Sequence, residues 1–334
     1  MKMINLKDNN HFALFGSTAL TDPGFKRFTD NELNSIKDVS PRVYELAQES
    51  SGIQAHFATD SKIIAASIQF NKIFSMTNSS PIGQMGIDLY VFDNMKNEYV
   101  FCGVSRPELN QNSYDTILVE FDSNEMRKFI LNLPLFVAVE TLTLSFDQNS
   151  VVVPIKETKK KVMMYGTSIL HGACASRPGM SYSNILTRRL NIEILNYGFN
   201  GNAHNEKEIA AILGKRQVDL FIIDSEANAT DITILKRLEL FIDTFKNQQP
   251  HTKVIVTNRI PFNKDRINKE EKLKKESYDN YFKSLSNSKD VIFIDIHQKL
   301  SDDLEITTDG VHPNDYGMVK IADVFEKIIK EHLK

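Results

Sequence analysis

The sequence of 334 residues predicts an α/β fold with a doubly wound parallel sheet, preceded by an all-β sandwich or jelly-roll domain. Two patterns support this prediction. Up to about residue 154, short stretches alternate polar and apolar residues between turn residues, as antiparallel sheets do. After residue 161, short and almost wholly apolar stretches alternate with amphipathic helical patterns, as in a parallel sheet covered on both faces. Because the length also exceeds that of a usual domain, two domains are expected, 1–155 and 156–334.

The first domain is expected to consist of short strands separated by Asn, Asp, Ser and Pro. The strand candidates are 52–59, 62–70, 87–93, 98–104, 116–122 and 140–147. The polar stretch 147–161 contains a run of lysines near its end. It is predicted to form an edge strand followed by a basic linker to the second domain.

The second domain is expected to alternate strands and helices. The strand candidates are 162–166, 192–199, 218–224, 253–258 and 291–296, and the helix candidates are 181–190, 206–213, 234–247, a charged stretch near 265–287 and the final stretch 316–333. In an open parallel sheet, ligands bind beyond the carboxyl ends of the strands. The residues that follow each strand are therefore the candidates for chemistry.

Composition excludes several classes of function. The 40 basic and 43 acidic residues give a net charge of −3, which offers no electrostatic footprint for nucleic acid or an anionic membrane. Cys102 and Cys174 form no CxxC pair, so neither a disulfide framework nor a two-cysteine metal knuckle is expected. The N-terminus lacks the shape of a signal peptide, and no window approaches the roughly 20 apolar residues of a membrane helix. The expected location is cytoplasmic, or periplasmic or secreted if a signal peptide was removed.

Three residues of the second domain suggest nucleophilic catalysis. Ser168 follows the first strand, and Asp309 and His312 lie in the loop before the last helix. A serine nucleophile needs a base to take its proton and an acid to fix the tautomer of that base. Each residue alone fits a helix cap or a turn equally well, but these loops are expected to meet at one sheet edge, and the combination favours catalysis.

These residues resemble the blocks of the SGNH (GDSL-type) hydrolases. The Gly-Asp-Ser block of that family is similar to 166–168, its second-block glycine to Gly201, its Gly-x-Asn-Asp block to 226–229, and its Asp-x-x-His block to Asp309 and His312. The stretch GIDLY (86–90) also resembles the Gly-x-Asp-Leu-Tyr signature of a β domain that precedes one subgroup, and 173–182 fits the same subgroup. The resemblance thus extends over nearly the whole chain and implies a flavodoxin-like hydrolase domain.

The resemblance implies a role for each matching residue. Ser168 would be the nucleophile, His312 the base and Asp309 the residue that orients it. The oxyanion would be held by the backbone N–H groups of Ser168 and Gly201 and by the side chain of Asn228. The sequence departs from the family at two positions. Thr167 replaces an Asp that supports the turn, and Glu226 replaces a glycine, so Asn228 is expected to sit differently; Asn200 or Asn202 could compensate.

Further residues could form a substrate site. The candidates for substrate binding are His171, Arg177, Asn202, Glu226, Arg259 and Tyr90. Arginines here could bind a carboxylate or pair with an acid. Asp88 could cap a turn or anchor the domain interface, and Tyr90 could reach the pocket. His171, His204 and His312 lack metal-ligand spacing, so no metal is expected, and Cys174 is interpreted as a small packing residue.

The sequence therefore predicts a serine esterase that acts on small acyl groups, with acetyl esters of carbohydrates foremost, and requires no cofactor. The acyl size and the sugar come from the resemblance. A lipase, thioesterase or acyltransferase with the same residues, or a weakly catalytic carbohydrate-binding protein, are the alternatives. The expected partner is a small-molecule or carbohydrate ester, with no nucleic acid and no membrane. Because the chain has 21 Phe and 10 Tyr but no Trp, any sugar platform is expected to use Tyr, Phe or polar loops.

Overall fold

The computed structural model describes residues 1–71, 75–303 and 305–333. The strands are β1 (Lys2–Asn5), β2 (Ala13–Phe15), β3 (Gln54–Thr59), β4 (Ile63–Phe70), β5 (Asp88–Asp93), β6 (Glu98–Val104), β7 (Ser113–Glu120), β8 (Arg127–Asn132), β9 (Val139–Phe146), β10 (Val152–Pro154), β11 (Lys161–Gly166), β12 (Glu193–Gly198), β13 (Leu220–Asp224), β14 (Lys253–Thr257) and β15 (Ile292–Ile294). The helices are α1 (Asp30–Ile36), α2 (Pro41–Leu46), α3 (Pro81–Met85), α4 (Ser168–His171), α5 (Tyr182–Leu190), α6 (Lys207–Leu213), α7 (Ile232–Lys246), α8 (Lys264–Ile267), α9 (Lys269–Ser288), α10 (Ile296–Lys299) and α11 (Asp315–His332). No helix within these ranges is both long and apolar enough to span a bilayer.

The first ten strands form two antiparallel sheets. One sheet has the order β1-β9-β4-β7, and the other has the order β10-β3-β8-β5-β6 with β2 paired to β3. Along β4 buried and more exposed residues alternate, as expected for a strand with one face in the core. Side chains from both sheets, such as Phe57, Phe129 and Leu144, share one apolar core. The predicted β sandwich is confirmed.

The remaining strands form a parallel sheet with the order β12-β11-β13-β14-β15. In order along the chain this is 2-1-3-4-5, the strand order of the flavodoxin-like doubly wound folds. Both faces are covered, because alternate residues of β11 enter different cores: Met163 and Tyr165 pack in one apolar cluster, Val162 and Met164 in another. The predicted α/β architecture is confirmed.

Helices α1 and α2 lie in the N-terminal part of the chain, for which the sequence predicts an all-β domain without helices. Thr29 begins α1 with a capping box that includes Glu32, which satisfies backbone N–H groups that a helix start leaves free. Leu33 and Val43 pack in the same apolar cluster as Tyr165 of the parallel sheet. Along the chain, the last strand of the antiparallel sheets ends at Pro154 and the first strand of the parallel sheet begins at Lys161. The segment with α1 and α2 nevertheless packs in a core of the parallel sheet. The division at residue 155 stays a prediction.

Candidate active site

Ser168 stands at the first position of α4, two residues after β11 ends. A side chain at Gly166 would lie 2.7 Å from the carbonyl oxygen of Asp224 on the neighbouring strand β13. This close approach of the backbones explains why the strand ends on glycine. Ser168 itself is 4% exposed, so its hydroxyl lies in a largely enclosed position at the carboxyl edge of the parallel sheet.

A chain of hydrogen bonds links Ser168 to the loop before α11. The Oγ of Ser168 lies 2.9 Å from Nε2 of His312, and Nδ1 of His312 lies 2.8 Å from Oδ2 of Asp309. Because an ionised carboxylate only accepts, Nδ1 is the protonated nitrogen and Nε2 can accept the hydroxyl proton. The geometry therefore supports proton transfer from Ser168 to His312.

The Asp309 carboxylate is held in its ionised form. Burial raises its pKa, but hydrogen bonds from the backbone N–H of His312, from the Asn78 side chain and from the His312 ring outweigh burial and lower the pKa well below its usual range. Its Oδ1 accepts from the backbone N–H groups of His312 and Val311 at 2.8 and 3.0 Å. Asp309 therefore remains negative and oriented at neutral pH.

Asn78 is a residue near this site that sequence reasoning missed. It lies in the polar loop before α3, and its Nδ2 is 2.9 Å from Oδ2 of Asp309. The thiol of Cys174 is 3.1 Å from the carbonyl oxygen of Asn78. Nothing in the stretch TNSS (77–80) distinguishes Asn78 from an ordinary turn residue, so no sequence signal could have located it.

The proposed oxyanion donors lie on neighbouring loops. The backbone N–H of Phe199 donates to the carbonyl oxygen of Gly166 at 2.9 Å, which ties the loop after β12 to the loop that leads to Ser168. Nδ2 of Asn228 donates to the carbonyl oxygen of Asn202 at 2.6 Å. Gly201 has a φ of +70°, and a Cβ there would meet no described atom within 4 Å, so backbone conformation and not crowding selects glycine.

Glu226 stands at a position where the family pattern has a glycine, a residue that gives the backbone more conformational freedom. It starts a short 3-10 turn, Glu226–Asn228, and it is not among the described residues with positive φ. A glycine is therefore not required by the backbone. Burial raises the pKa of the Glu226 carboxyl group by more than the positive charges of Lys275 and Arg259 lower it.

Arg259 pairs with acidic side chains. Its guanidinium contacts the Asp265 carboxylate at 2.5 and 2.6 Å, and its Nε lies 3.4 Å from Oε1 of Glu226. Arg259 is 6% exposed and Glu226 1%. These contacts place Glu226 and Arg259 in a buried ion-pair network, and the structure does not bring them together with Ser168 in a hydrogen-bonded group.

Arg177 and Tyr90 lie between the antiparallel sheets and the parallel-sheet layer. The Arg177 guanidinium lies 2.8 Å from Oδ2 of the buried Asp88 and also contacts the Tyr90 hydroxyl. The backbone N–H of Gly179 donates to the same Asp88 oxygen at 2.8 Å. Desolvation lowers the pKa of Arg177, but its contacts with Tyr90 and Asp88 raise it overall. For Arg177, this geometry favours pairing with an acid over substrate binding, and for Asp88 it favours the interface anchor.

His171 is the last residue of α4 and is fully buried. Its Nε2 lies 2.9 Å from both the carbonyl oxygen of Leu135 and Oε2 of Glu49, and its ring stacks on Phe136 with 4.3 Å between centroids. Burial, with the positive charge of Arg27, lowers the pKa of His171. These partners make it a packing residue that supports the Ser168 helix and not a contact for substrate.

One group of described side chains has the chemistry of metal ligands, Cys174, Asp309 and His312, with donor atoms within 4.8 Å of one another. Its members are already engaged with one another, with Ser168 and with Asn78. Burial and the Asp309 charge raise the pKa of the Cys174 thiol, which disfavours the thiolate that binds metal. The donor set does not fit a resident metal.

A flavodoxin-like α/β layer with serine, histidine and aspartate at its carboxyl edge is the architecture of a carboxylic ester hydrolase. Residues 159–330 match the profile of the GDSL-like lipase/acylhydrolase family, and residues 4–152 match that of the GxDLY N-terminus of SGNH-hydrolase-type esterases. The chain belongs to the GDSL-like lipase/acylhydrolase family and is an esterase of this type.

Solved structures of similar proteins agree with this fold. A Bacteroides ovatus protein described as a GDSL-like lipase is 28% identical with a TM-score of 0.90, over 99% of this chain and 98% of that one. A salicylyl-acyltransferase from a tetracycline biosynthetic pathway is 14% identical (TM-score 0.76, 99% and 97% covered). An acetyl xylan esterase from Butyrivibrio proteoclasticus is 10% identical (TM-score 0.58, 99% and 98% covered). Comparison with curated proteins gives no match.

Proposed function

We propose that this protein is a serine esterase that removes small acyl groups, acetyl foremost, from carbohydrate esters. The observation that carries the proposal is the hydrogen-bonded chain from Ser168 through His312 to Asp309. The choice of an acetylated carbohydrate is supported by the fold shared with an acetyl xylan esterase.

In the proposed reaction, His312 Nε2 accepts the proton of Ser168 as Oγ attacks the ester carbonyl carbon. The tetrahedral intermediate collapses with cleavage of the bond to the alcohol oxygen, which takes the proton from His312. The acyl group remains on Ser168. A water molecule then gives a proton to His312 and attacks the acyl carbon. This second intermediate collapses with cleavage of the bond to Ser168 Oγ, which takes the proton back from His312, and the carboxylic acid is released. Asp309 stabilises the imidazolium in both halves.

The oxyanion of each intermediate is assigned to the backbone N–H groups of Ser168 and Gly201 and to the Asn228 amide. The Asn228 amide has two hydrogens, and the contact with Asn202 uses one of them. The second hydrogen is the one assigned to the oxyanion. Removal of one such donor typically reduces turnover about 10²–10³-fold, and Asn228→Ala is expected to show a loss of this size.

The test uses purified protein, p-nitrophenyl esters with acyl chains of increasing length, and acetylated xylan. Ser168→Ala is expected to lose at least about 10³-fold in turnover, whereas the control Ser35→Ala, on the exposed face of α1, keeps wild-type activity. The acetyl ester is expected to be the best substrate, with acetate released from the polysaccharide. Equal activity of wild type and Ser168→Ala would overturn the mechanism, and a preference for long chains would overturn the acetyl assignment.

Acyl transfer to an alcohol is the second candidate, because the chain shares its fold with an acyltransferase over nearly its full length. The same acyl-enzyme would then react with an acceptor hydroxyl in place of water. Adding a sugar acceptor to the assay distinguishes the two. An acylated sugar as the major product would favour the transferase, and free acid would favour the esterase.

A further inference from the structure

We propose that Asn78, which lies in the part of the chain that forms the antiparallel sheets, is a positioning residue for Asp309 and His312. This inference rests on the proposed function. Asn78 is separated from Asp309 by 231 positions in the sequence, yet its Nδ2 lies 2.9 Å from Oδ2 of Asp309 and 3.4 Å from Nδ1 of His312. The esterase site is therefore completed by a loop outside the parallel-sheet layer.

Asn78 completes the set of donors around the Asp309 carboxylate. Backbone N–H groups of the same loop donate to Oδ1. The other oxygen, Oδ2, is shared between the His312 ring and the Asn78 amide. Donors on both oxygens fix the rotation of the carboxylate. Because Oδ2 faces Nδ1, that rotation determines how well the His312 ring is aimed at Ser168.

Asn78 is itself held against the loop that follows α4. The Cys174 thiol donates to the carbonyl oxygen of Asn78 at 3.1 Å, and the backbone N–H of Cys174 donates to Oγ of Ser79 at 3.1 Å. The hydroxyl of Ser80 reaches the carbonyl oxygen of Ser176 at 3.4 Å. These contacts bind residues 78–80 to residues 174–176, so the amide of Asn78 has a defined position.

A glycine permits this approach. A Cβ at Gly83, in α3, would lie 2.3 Å from the carbonyl oxygen of Ala175. The same helix begins at Ser80, whose hydroxyl accepts from the Gly83 N–H. Any larger residue at Gly83 must therefore push α3 away from the 174–176 loop and move Asn78 with it. The position of Asn78 thus depends on the close contact between Gly83 and Ala175 as well as on its hydrogen bond to Asp309.

Asparagine suits this position because it donates a hydrogen bond without adding charge. Among the described residues, the acidic and thiol side chains grouped with the His312 ring are Asp309 and Cys174. Burial and the Asp309 charge raise the pKa of the Cys174 thiol, so the thiol is neutral in the working range. Asp309 therefore supplies the negative charge beside His312. A second carboxylate at residue 78 would add to it and stabilise the imidazolium.

The test compares Asn78→Asp and Asn78→Ala with Asn94→Asp, an exposed control in the turn between β5 and β6 that makes the same change of charge. The measured quantities are kcat and KM for p-nitrophenyl acetate against pH, with thermal unfolding to show that each variant is folded. Asn78→Asp is expected to move the acidic limb of the kcat/KM profile upward by about one pH unit. Asn78→Ala is expected to lower kcat about tenfold with little change in KM, and Asn94→Asp to match the wild type.

Gly83→Ala provides a second variant that leaves Asn78 intact. It is expected to lower kcat as Asn78→Ala does, and to have little further effect when both changes are combined. Ser168→Ala is measured in the same series. If Ser168→Ala is inactive and folded Asn78→Asp keeps the wild-type pH profile, the role of Asn78 is overturned and the proposed function stands. If Ser168→Ala keeps wild-type activity, the proposed function and this inference both fail.

Discussion

Glu226 accepts a hydrogen bond from the backbone N–H of Arg259 at 2.9 Å, inside a network where both side chains are buried. This contact joins the turn after β13, which carries Asn228, to the residues that follow β14. A glycine in the place of Glu226 would remove that connection. The departure from the family pattern is therefore a structural element of this chain, and its side chain is compatible with the local backbone.

Replacing Glu226 by the residue typical of the family is expected to destabilise the protein. Glu226→Gly leaves part of the Arg259 charge without its partner and removes an acceptor, which costs about 3 kcal/mol of unfolding free energy. Glu226→Gln keeps an acceptor for the backbone N–H and is expected to cost about 1 kcal/mol. Urea unfolding measures both values. A Glu226→Gly variant as stable as the wild type would show that the network contributes nothing.

The contact between Asp88 and Arg177 is expected to stabilise the junction of the two sheet systems. Asp88 is fully buried and also accepts from Asn132 at 2.7 Å. Asp88→Asn removes the charge that compensates Arg177 and is expected to lower the unfolding free energy by about 3 kcal/mol. Glu98→Gln, at an exposed position of β6, serves as the control and is expected to change stability by less than about 0.5 kcal/mol. Equal stability of the two variants would argue against an anchoring role.

Two glycines of the same segment are expected to respond differently to alanine. Gly201 has a positive φ and open space around its Cβ position, so Gly201→Ala pays only for the backbone conformation, about 1 kcal/mol. A Cβ at Gly198 would lie 2.3 Å from the backbone nitrogen of His171. Gly198→Ala must separate β12 from α4 and is expected to cost at least about 2 kcal/mol. Denaturant unfolding of both variants tests the ranking, which a larger loss at Gly201 would contradict.

The free energy of unfolding is expected to decrease as the pH is lowered below about 6.5, the usual pKa of histidine. The cause is two buried histidines, His56 and His171. Burial and the positive charge of Lys159 lower the pKa of His56 well below its usual value, and His171 is shifted in the same direction. Above the unfolded pKa neither residue affects the pH dependence. Below it, the unfolded chain binds protons that the folded chain rejects, and stability is lost by up to about 1.4 kcal/mol per pH unit for each histidine.

His56→Gln tests this dependence, with the exposed His251→Gln as control. Unfolding free energies measured between pH 5 and 8 are expected to fall less steeply for His56→Gln than for the wild type, and equally steeply for His251→Gln. A His56→Gln variant with the slope of the wild type would show that His56 binds its proton equally well in the folded and the unfolded chain.

The two alternating patterns of apolar residues predicted the sandwich and the parallel sheet, because the period of burial reports directly which faces of a strand are covered. The same reasoning predicted that Ser168, Asp309 and His312 would meet. Residues that follow parallel strands or precede the covering helices share one edge, whatever their separation in the sequence. The structure places the three side chains within hydrogen-bonding distance of one another along the chain Ser168–His312–Asp309.

Contacts between distant segments were decided only by the tertiary structure. Sequence left open whether Arg177 and Arg259 bind substrate or pair with acids, since a guanidinium serves either purpose, and their acidic neighbours come into reach only after folding. The helices α1 and α2 pack against the parallel sheet, and Asn78 contacts Asp309. Both contacts require that the antiparallel and the parallel sheets pack against each other. Local sequence patterns determine strands, helices and sheet edges. Which distant residues become neighbours of a given side chain depends on tertiary packing, and a local sequence pattern holds no information about that packing.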